Sequence, residues 1–341
     1  MASPDGEFRD EVEAAGFRWH EIQMSRSGVN PLGEFATSRR LAEVIRAEKP
    51  DVLHTFTMKG NINGALAARL AGLRNVVSSI AGLGFVYSSE SAKARILRPF
   101  GNVAYRWALA RGETVFQNAG DREVFVRDGL VPADRAHLIR SSGVDVSEFR
   151  PVEPPAGRVR ILYASRLLWT KGIGELVEAV RLLRKRGIDF ELLVAGQPDP
   201  GNPATISAAD IEGWVREGLI THLGFHRDMP GLMRTCHIAC FPSKHKEGVP
   251  RFLVEAAAAG LPIVTTRNRG CIEIGREDVN ALLVPIADAG ALAVALERLI
   301  GDAALRKSLG AAGRTIAEEE FSVEQVAAQT EEVYRKMVGS Q

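Results

Sequence analysis

Cysteine is scarce in this 341-residue sequence: Cys236, Cys240 and Cys271 are the only three. That number is too small, and odd, for a disulfide framework, which points to a reducing compartment with the cytoplasm as default. An excess of charge of one sign is also missing, with 43 Lys plus Arg against 42 Asp plus Glu. The balance argues against a broad nucleic-acid surface, so nucleic acid is not expected as a partner. No run reaches the ~18 uncharged apolar residues of a spanning helix; the longest uncharged stretch, 75–89, is broken by Gly82, Gly84 and several serines. Residues 1–11 carry Asp, Glu and Pro where a signal peptide needs an apolar run. Membrane contact is therefore expected to be peripheral. Low-complexity segments and short repeats are absent as well.

What is present is an ordinary globular composition, 45% hydrophobic and 25% charged. At this length a single core rarely keeps growing, so two domains are expected. Short apolar runs alternate with helical patterns, the signature of a parallel sheet with helices on its faces, and the fold class is α/β. Strands are expected at 51–55, 75–80, 113–117 and 136–139, with helices at 32–48 and 60–72 between them. Residues 149–159 hold three prolines and a glycine and read as a linker, placing a domain boundary near residue 150. Strands then resume at 160–163, 190–195, 220–224, 238–241, 262–265 and 281–284. Leu176, Val177, Val180 and Leu183, and later Leu292, Leu296, Leu299 and Ile300, recur at helical spacing. The domains read as 1–150, 151–321 and a closing helical segment 322–341: two doubly wound domains facing a cleft.

The densest chemistry lies in 241–260, FPSKHKEGVPRFLVEAAAAG. An apolar strand ends in Pro242 and Ser243, a polar loop follows, and Pro250 opens an apolar helix, where its missing N–H costs nothing. The amides of Gly248, Val249 and Arg251 then sit at the positive end of a helix dipole, where a phosphate is favoured. Open α/β sheets bind ligands at this edge. Glu247 and Glu255 bracket the helix start. Two carboxylates beside a phosphate repel it unless they hold hydroxyl donors such as those of a sugar or ribose. The plain alternative is a pair of solvated acids, but Glu255 sits in FLVEAAAA, where burial without a partner is costly.

A second constellation, YASRLLWTKGIG at 163–174, runs a strand into Arg166, then Lys171, then a helix. Two cations at a strand's carboxyl end can neutralise a diphosphate leaving group. Val177 stands where a dinucleotide fingerprint needs Gly or Ala, which argues against a dinucleotide enzyme. Cys236, His237 and Cys240 lie in a strand-like run with no second pair of ligands, so core packing is expected rather than a metal site. No HExxH, DxD or paired Asp cluster occurs; no metal and no cofactor are expected. His54 ends a strand with Lys59 and Asn61 on the loop beyond, so all three could face a substrate, although a lone histidine is as readily a structural hydrogen-bonder. Residues 91–111 carry five cations, no acid, and Phe100, Tyr105 and Trp107 interleaved. They read as a basic amphipathic surface for anionic lipid, or as a helical pair with its arginines in solvent.

The E-x7-E pair Glu247 and Glu255 resembles the motif of the retaining glycosyltransferases of family 4, which have two Rossmann-like domains in the GT-B fold. RLLWTKG, KEGVPRFLVEAAAAGLPIV and NALLVP are similar to that family's donor domain. MSRSGVNPL, KPDVLHTFTMKGNINGALAARLAGL, IAGLGFVYS and FQNAGDREVFV resemble the subgroup that adds sugars to polyprenyl-diphosphate-linked saccharides in capsule, O-antigen or glycan assembly. The resemblance implies that Arg166, Lys171 and Glu247 form the catalytic set, acting on a UDP-sugar donor. Glu255 would hold ribose hydroxyls, Glu247 with Gly248, Val249, Pro250 and Arg251 the sugar and phosphate, and Phe225 and His226 the base. Gly143 would line the cleft. His54, Lys59, Asn61, Gly82 and Gly84 would lie on the side of the polyprenyl-diphosphate-linked acceptor, and the last helix, around 333–337, would cross back to the first domain. The implied place of work is the cytoplasmic face of the cell membrane.

Two departures from the family pattern set further expectations. Members begin with a strand, a glycine loop and a helix ahead of the segment that SPDGEF resembles, roughly 35 residues or one βα unit, and the first domain is expected to be truncated and to lack its central strand. Ala81 stands where many members carry a histidine. Two other readings stay open on the sequence: a UDP-binding remnant or partner subunit that transfers nothing, and a nucleotide-sugar epimerase on the same fold.

Overall fold

The computed structural model describes residues 1–4, 9–24, 30–82, 92–153, 155–245 and 248–339. The chain divides into two compact units, Met1–Leu138 with Thr330–Gln341, and Ile139–Gln329.

In the first unit, strands β1 (Ala2–Ser3) and β2 (His20–Glu21) form a two-stranded parallel sheet. Strands β3 (Leu53–Phe56), β4 (Val76–Ile80), β5 (Glu113–Phe116) and β6 (Ala136–Leu138) form a separate parallel sheet in that order. A parallel strand is buried on both faces, and β4 obeys this with every residue of VVSSI buried. Helices at Pro31–Glu48, Met58–Ala71 and Ala92–Leu109 cover the sheet. Local chemistry sets their ends. Asn30 caps the first with Pro31 just inside it, and Thr57 caps the second, which Gly72 closes at φ 80°.

The second unit is built on six parallel strands: β7 (Arg160–Ala164), β8 (Glu191–Ala195), β9 (Thr221–Gly224), β10 (Ile238–Phe241), β11 (Ile263–Thr266) and β12 (Ala281–Val284). Their order across the sheet is β12-β11-β10-β7-β8-β9. The chain winds outward from β7 to β9, returns to β10 beside β7, and winds out the other way, so β7 and β10 flank a topological switch point. Leu176, Val177, Val180 and Leu183 of helix Ile173–Lys185 are at most 1% exposed. Each contributes about 1.5–3 kcal/mol by leaving water.

Every strand expected from apolar runs forms; the two short strands β1 and β2, which lack such a run, are additional. The proline-rich segment at 149–159 belongs to the second unit. Phe149 is 5% exposed, its carbonyl accepts from Arg314 Nη1 at 2.6 Å, and Pro151 packs against Gly260. The cysteines pack in the core as free thiols, and burial pushes the Cys236 thiol up to about 11. His237 is spent on structure, accepting from Arg160 N at 3.1 Å and meeting Pro155 O at 2.9 Å. Among the described residues no helix is long and apolar enough to cross a membrane.

The closing helix Val323–Val338 starts in the second unit and ends in the first. Its start is pinned by Val144 N to Phe321 O at 2.9 Å and Val323 N to Val144 O at 3.0 Å. Gly143, at φ 85°, lies so close that a Cβ would be 2.8 Å from Val323 Cα. Phe321, with no exposed surface, anchors this junction. Phe321→Ala is expected to destabilise the second unit by about 3–5 kcal/mol, read as a lower urea midpoint; an unchanged midpoint would contradict this packing.

Candidate functional site

The loops leaving β7 and β10 diverge at the switch point, and both are rich in cations. Arg166 and Lys171 lie on the first loop, where Trp169–Lys171 makes a 3-10 turn closed by Gly172. The second loop leads to Pro250, the N-cap of helix Arg251–Ala258. No side chain caps this helix; the Pro250 carbonyl takes only the amides of Leu253 and Val254, at 3.0 and 3.4 Å. The amides of Gly248, Val249 and Arg251 are therefore left at the positive end of the dipole, as an anion site requires.

The two loops are locked together. Thr170 O accepts from the amides of both Lys244 and His245, at 2.9 and 3.1 Å. Gly172, at φ 80°, presses against the second loop so closely that a Cβ would stand 1.9 Å from Pro242 O, which no side chain tolerates. Lys244 Nζ reaches Glu175 Oε1 at 2.7 Å. From β11, Thr266 Oγ1 donates to Ser243 O at 2.7 Å and Asn268 Nδ2 donates to Ser243 O and His245 O. Thr170 and Lys244 stand inside the two quoted stretches, but their contacts run between stretches about 70 residues apart, and sequence reading missed these roles, with those of Glu175 and Asn268, for that reason.

Arg166 Nη1 pairs with Asp199 Oδ2 at 2.7 Å, but its side chain is 63% exposed. A pair this exposed is worth at most about 1 kcal/mol, less than a charge-assisted bond to a phosphate. Lys171 is half-buried with Nζ 5.9 Å from the centre of the Phe241 ring. Glu255 is buried at 8% exposure and accepts from Arg251 Nε at 2.6 Å. Burial raises its pKa, and the Arg251 hydrogen bond and charge act against that shift. Phe225, 65% exposed, and His226, half-buried, follow the edge strand β9. They are tied back through Gly196, which donates to Gly224 O at 2.7 Å and lies against Ser165 O. Glu247 lies outside the described residues.

In the first unit the sequence-picked residues take different roles. His54 does not end its strand as the apolar run suggested but is the second residue of β3, between Tyr334 Oη, 2.5 Å from Nδ1, and Ser79 Oγ, 2.7 Å from Nε2, and it stacks on Phe56. Lys59 pairs with Glu34 at 2.7 Å, and Asn63 donates to the same carboxylate at 2.7 Å. Asn61 has no exposed surface and donates to Ser79 O at 3.1 Å, so it braces the end of β4 and would have to move to touch a ligand. Gly82 follows β4 at φ 149°; Gly84 lies outside the described residues. Tyr334, missed in the sequence, holds the closing helix to His54 across 280 positions.

Burial lowers the His54 pKa from 6.5 to about 4. The ring is neutral at pH 7, and one nitrogen donates while the other accepts. The unfolded chain therefore binds the extra proton between about pH 6.5 and 4. The stability this histidine lends is complete above that window, falls as the pH drops through it, and is constant below. His54→Asn is expected to flatten the pH slope of the urea midpoint within the window; an identical slope in the variant would contradict a neutral, buried His54.

Residues 158–302 match the family described as "Glycosyl transferases group 1", and residues 1–119 match "Glycosyl transferase 4-like". The chain is 27% identical over 320 residues, 90% of its length and 82% of the relative's, to N,N'-diacetylbacillosaminyl-diphospho-undecaprenol alpha-1,3-N-acetylgalactosaminyltransferase of Campylobacter jejuni. Among solved structures it is similar to a glycosyltransferase from Rickettsia africae, with a TM-score of 0.82 at 19% identity over 100% of this chain and 90% of that one. It is also similar to Anabaena HepE in complex with UDP, with a TM-score of 0.79 at 20% identity over 97% of this chain and 90% of that one. With a parallel sheet in each unit, a basic switch point in the doubly wound second sheet and these matches along its length, the chain is a glycosyltransferase with group 1 and 4-like domains and has the GT-B fold.

Proposed function

We propose that this glycosyltransferase moves a hexose or N-acetylhexosamine, with retention, from a UDP-sugar to a lipid-diphosphate-linked saccharide at the cytoplasmic face of the cell membrane. The observation that carries the donor reading is the convergence of Arg166, Lys171 and the uncapped helix start at Gly248–Arg251 on the β7/β10 switch point. The UDP complex of Anabaena HepE supports UDP as the nucleotide. The Campylobacter relative, whose name specifies an undecaprenol diphosphate acceptor, supports the lipid-linked saccharide.

In this reading the bond between the anomeric carbon and the β-phosphate oxygen breaks as the acceptor hydroxyl oxygen attacks on the same face. The hydroxyl proton passes to the departing phosphate oxygen. The protein contributes fixed positive charge where negative charge develops, which costs no reorganisation at the moment of reaction. Arg166 and Lys171 supply formal charges and the amides of Gly248, Val249 and Arg251 supply dipoles. Glu255, poised by Arg251, accepts from the ribose hydroxyls; Phe225 and His226 meet the base; and Glu247 orients the sugar. On the acceptor side, His54 offers a neutral ring, with Lys59 in the first turn of helix Met58–Ala71 and Gly82 just after β4; Gly84 is assigned to the acceptor as well. Cations of the protein take the place of a metal.

Membrane placement rests on helix Ala92–Leu109. Ile96, Phe100, Val103 and Trp107 recur at helical spacing and are between 42% and 71% exposed.

Calorimetric titration with UDP tests the donor site. Lys171→Ala is expected to weaken UDP binding by about tenfold to a hundredfold, the weight of one charge-assisted hydrogen bond. Equal UDP affinity in the variant, or no binding by the folded wild type, would overturn the assignment. Incubation with UDP-sugars and a lipid-diphosphate saccharide is expected to give an α-linked product from an α-linked donor, whereas an epimerised nucleotide sugar without acceptor would contradict transfer. Transfer is also expected to survive EDTA at full rate; abolition by the chelator, restored by a divalent cation, would contradict the role given to Arg166 and Lys171.

A further inference from the structure

The amino edge of the first unit's four-stranded sheet, opposite the edge where substrates of parallel sheets bind, carries a basic cavity of about 570 Å3. It opens where β4 begins and the chain enters β5, and is lined by Ala65, Arg69, Arg74, Val76, Ala108 and Arg111 among others, with no carboxylate. Arg74 and Arg111 are exposed and make no hydrogen bond or ion pair with any described residue. Gly112 fixes the position of Arg111, because its Cα lies so near the β4 backbone that a Cβ would be 2.2 Å from Val76 O. Arg69 is held from below by Ala65 O at 2.9 Å and Trp107 O at 2.7 Å, with its guanidinium 3.9 Å above the Trp107 ring. Burial, and then the charge of Arg111, lower the Arg69 pKa. Positive charge is thus crowded here without a counter-charge, a condition that a bound anion relieves.

The cavity is continuous with an apolar surface. Ala108 lines it and Trp107 supports it, and Trp107 is the last member of the stripe Ile96, Phe100, Val103, Trp107 on helix Ala92–Leu109. These positions fall at i, i+4, i+7 and i+11, within about 30° of one line along the helix. Residues 91–111 contain five cations and no acid, and Arg95 and Arg106 are exposed beside the stripe. An exposed apolar stripe with cations alongside and an indole at one end matches a helix lying in a headgroup interface. The neighbouring arginines would be at phosphate depth.

We propose that the cavity formed by Arg69, Arg74 and Arg111 seats the phosphodiester of an anionic glycerophospholipid while the Ile96–Trp107 stripe lies in the adjoining lipid. The inference rests on the reading that the chain works at a membrane surface. It makes attachment a function of the sheet's amino edge and leaves the carboxyl ends of β3 and β4 open for the acceptor.

Vesicle sedimentation of the full chain tests this, with phosphatidylcholine vesicles and with vesicles containing phosphatidylglycerol. The wild type is expected to bind the phosphatidylglycerol vesicles preferentially. Arg74→Gln with Arg111→Gln is expected to weaken that binding by about thirtyfold, with UDP affinity and thermal midpoint unchanged. A charge-matched control on helix Pro31–Glu48, Arg39→Gln with Arg40→Gln, is expected to weaken it by less than about threefold, since exposed charge outside the contact is screened. Equal losses in the two double variants would reduce the effect to net charge and overturn the seat. Arginine-dependent binding of inorganic phosphate, with wild type and pocket variant sedimenting equally on phosphatidylglycerol, would assign the cavity to a soluble phosphate and overturn the lipid. A wild type that ignores phosphatidylglycerol vesicles yet binds UDP would overturn both the seat and the membrane placement while leaving the transferase reading standing.

Discussion

The proposed donor site depends on one backbone contact, the approach of Gly172 to Pro242 O at the β7/β10 switch point. A Cβ on residue 172 could not be accommodated, and the αL conformation there both ends the turn carrying Lys171 and begins helix Ile173–Lys185. With the two loops in contact, Thr170 O can take two amides of the second loop. Lys171, Arg166 and the helix start at Arg251 are then placed by backbone hydrogen bonds and steric exclusion rather than by flexible side chains. Such preorganisation is what electrostatic stabilisation of a leaving group requires.

Charge in this protein is arranged by burial as much as by pairing. Glu255 keeps its carboxylate in an apolar helix because Arg251, one turn earlier, donates to it; removing that arginine would leave a buried charge without compensation. Arg166, by contrast, has only an exposed partner in Asp199, and an exposed pair is readily exchanged for a stronger anion. In the first unit the order is reversed: the cavity at the amino edge is lined by three arginines and no carboxylate, while Lys59 near the carboxyl ends is held by Glu34.

The fold was largely legible in the sequence because its signals are local. Apolar runs such as IACF and ALLV mark strands that lie inside the sheet or at its edge, and Pro250 with the FLVEAAAA pattern marks a helix start and its buried acid. The positions proposed for the donor could be picked out by similar local signals, since Arg166, Phe225 and His226 closely follow strand ends and Pro250 marks the start of the helix that carries Glu255. What stayed hidden is set by contacts between distant segments. His54 is bound by Tyr334, and Thr170 by Lys244 and His245; nothing in either local sequence hints at the partner. Asn61 looked like a surface loop residue, but it lies inside a helix and is drawn under β4 by Ser79 O. The segment at 149–159 has a linker's composition, yet Phe149 and Arg314 bind it to the second unit.

Amide hydrogen exchange with and without UDP tests the donor site most directly, because it reads the backbone donors themselves. The account predicts that UDP slows exchange in the loop around 165–172 and at the helix start 248–252, with no change along the amino edge of the first unit's sheet. Protection confined to the first unit, or protection of the β9 loop alone with 248–252 untouched, would contradict a diphosphate held at the β7/β10 switch point.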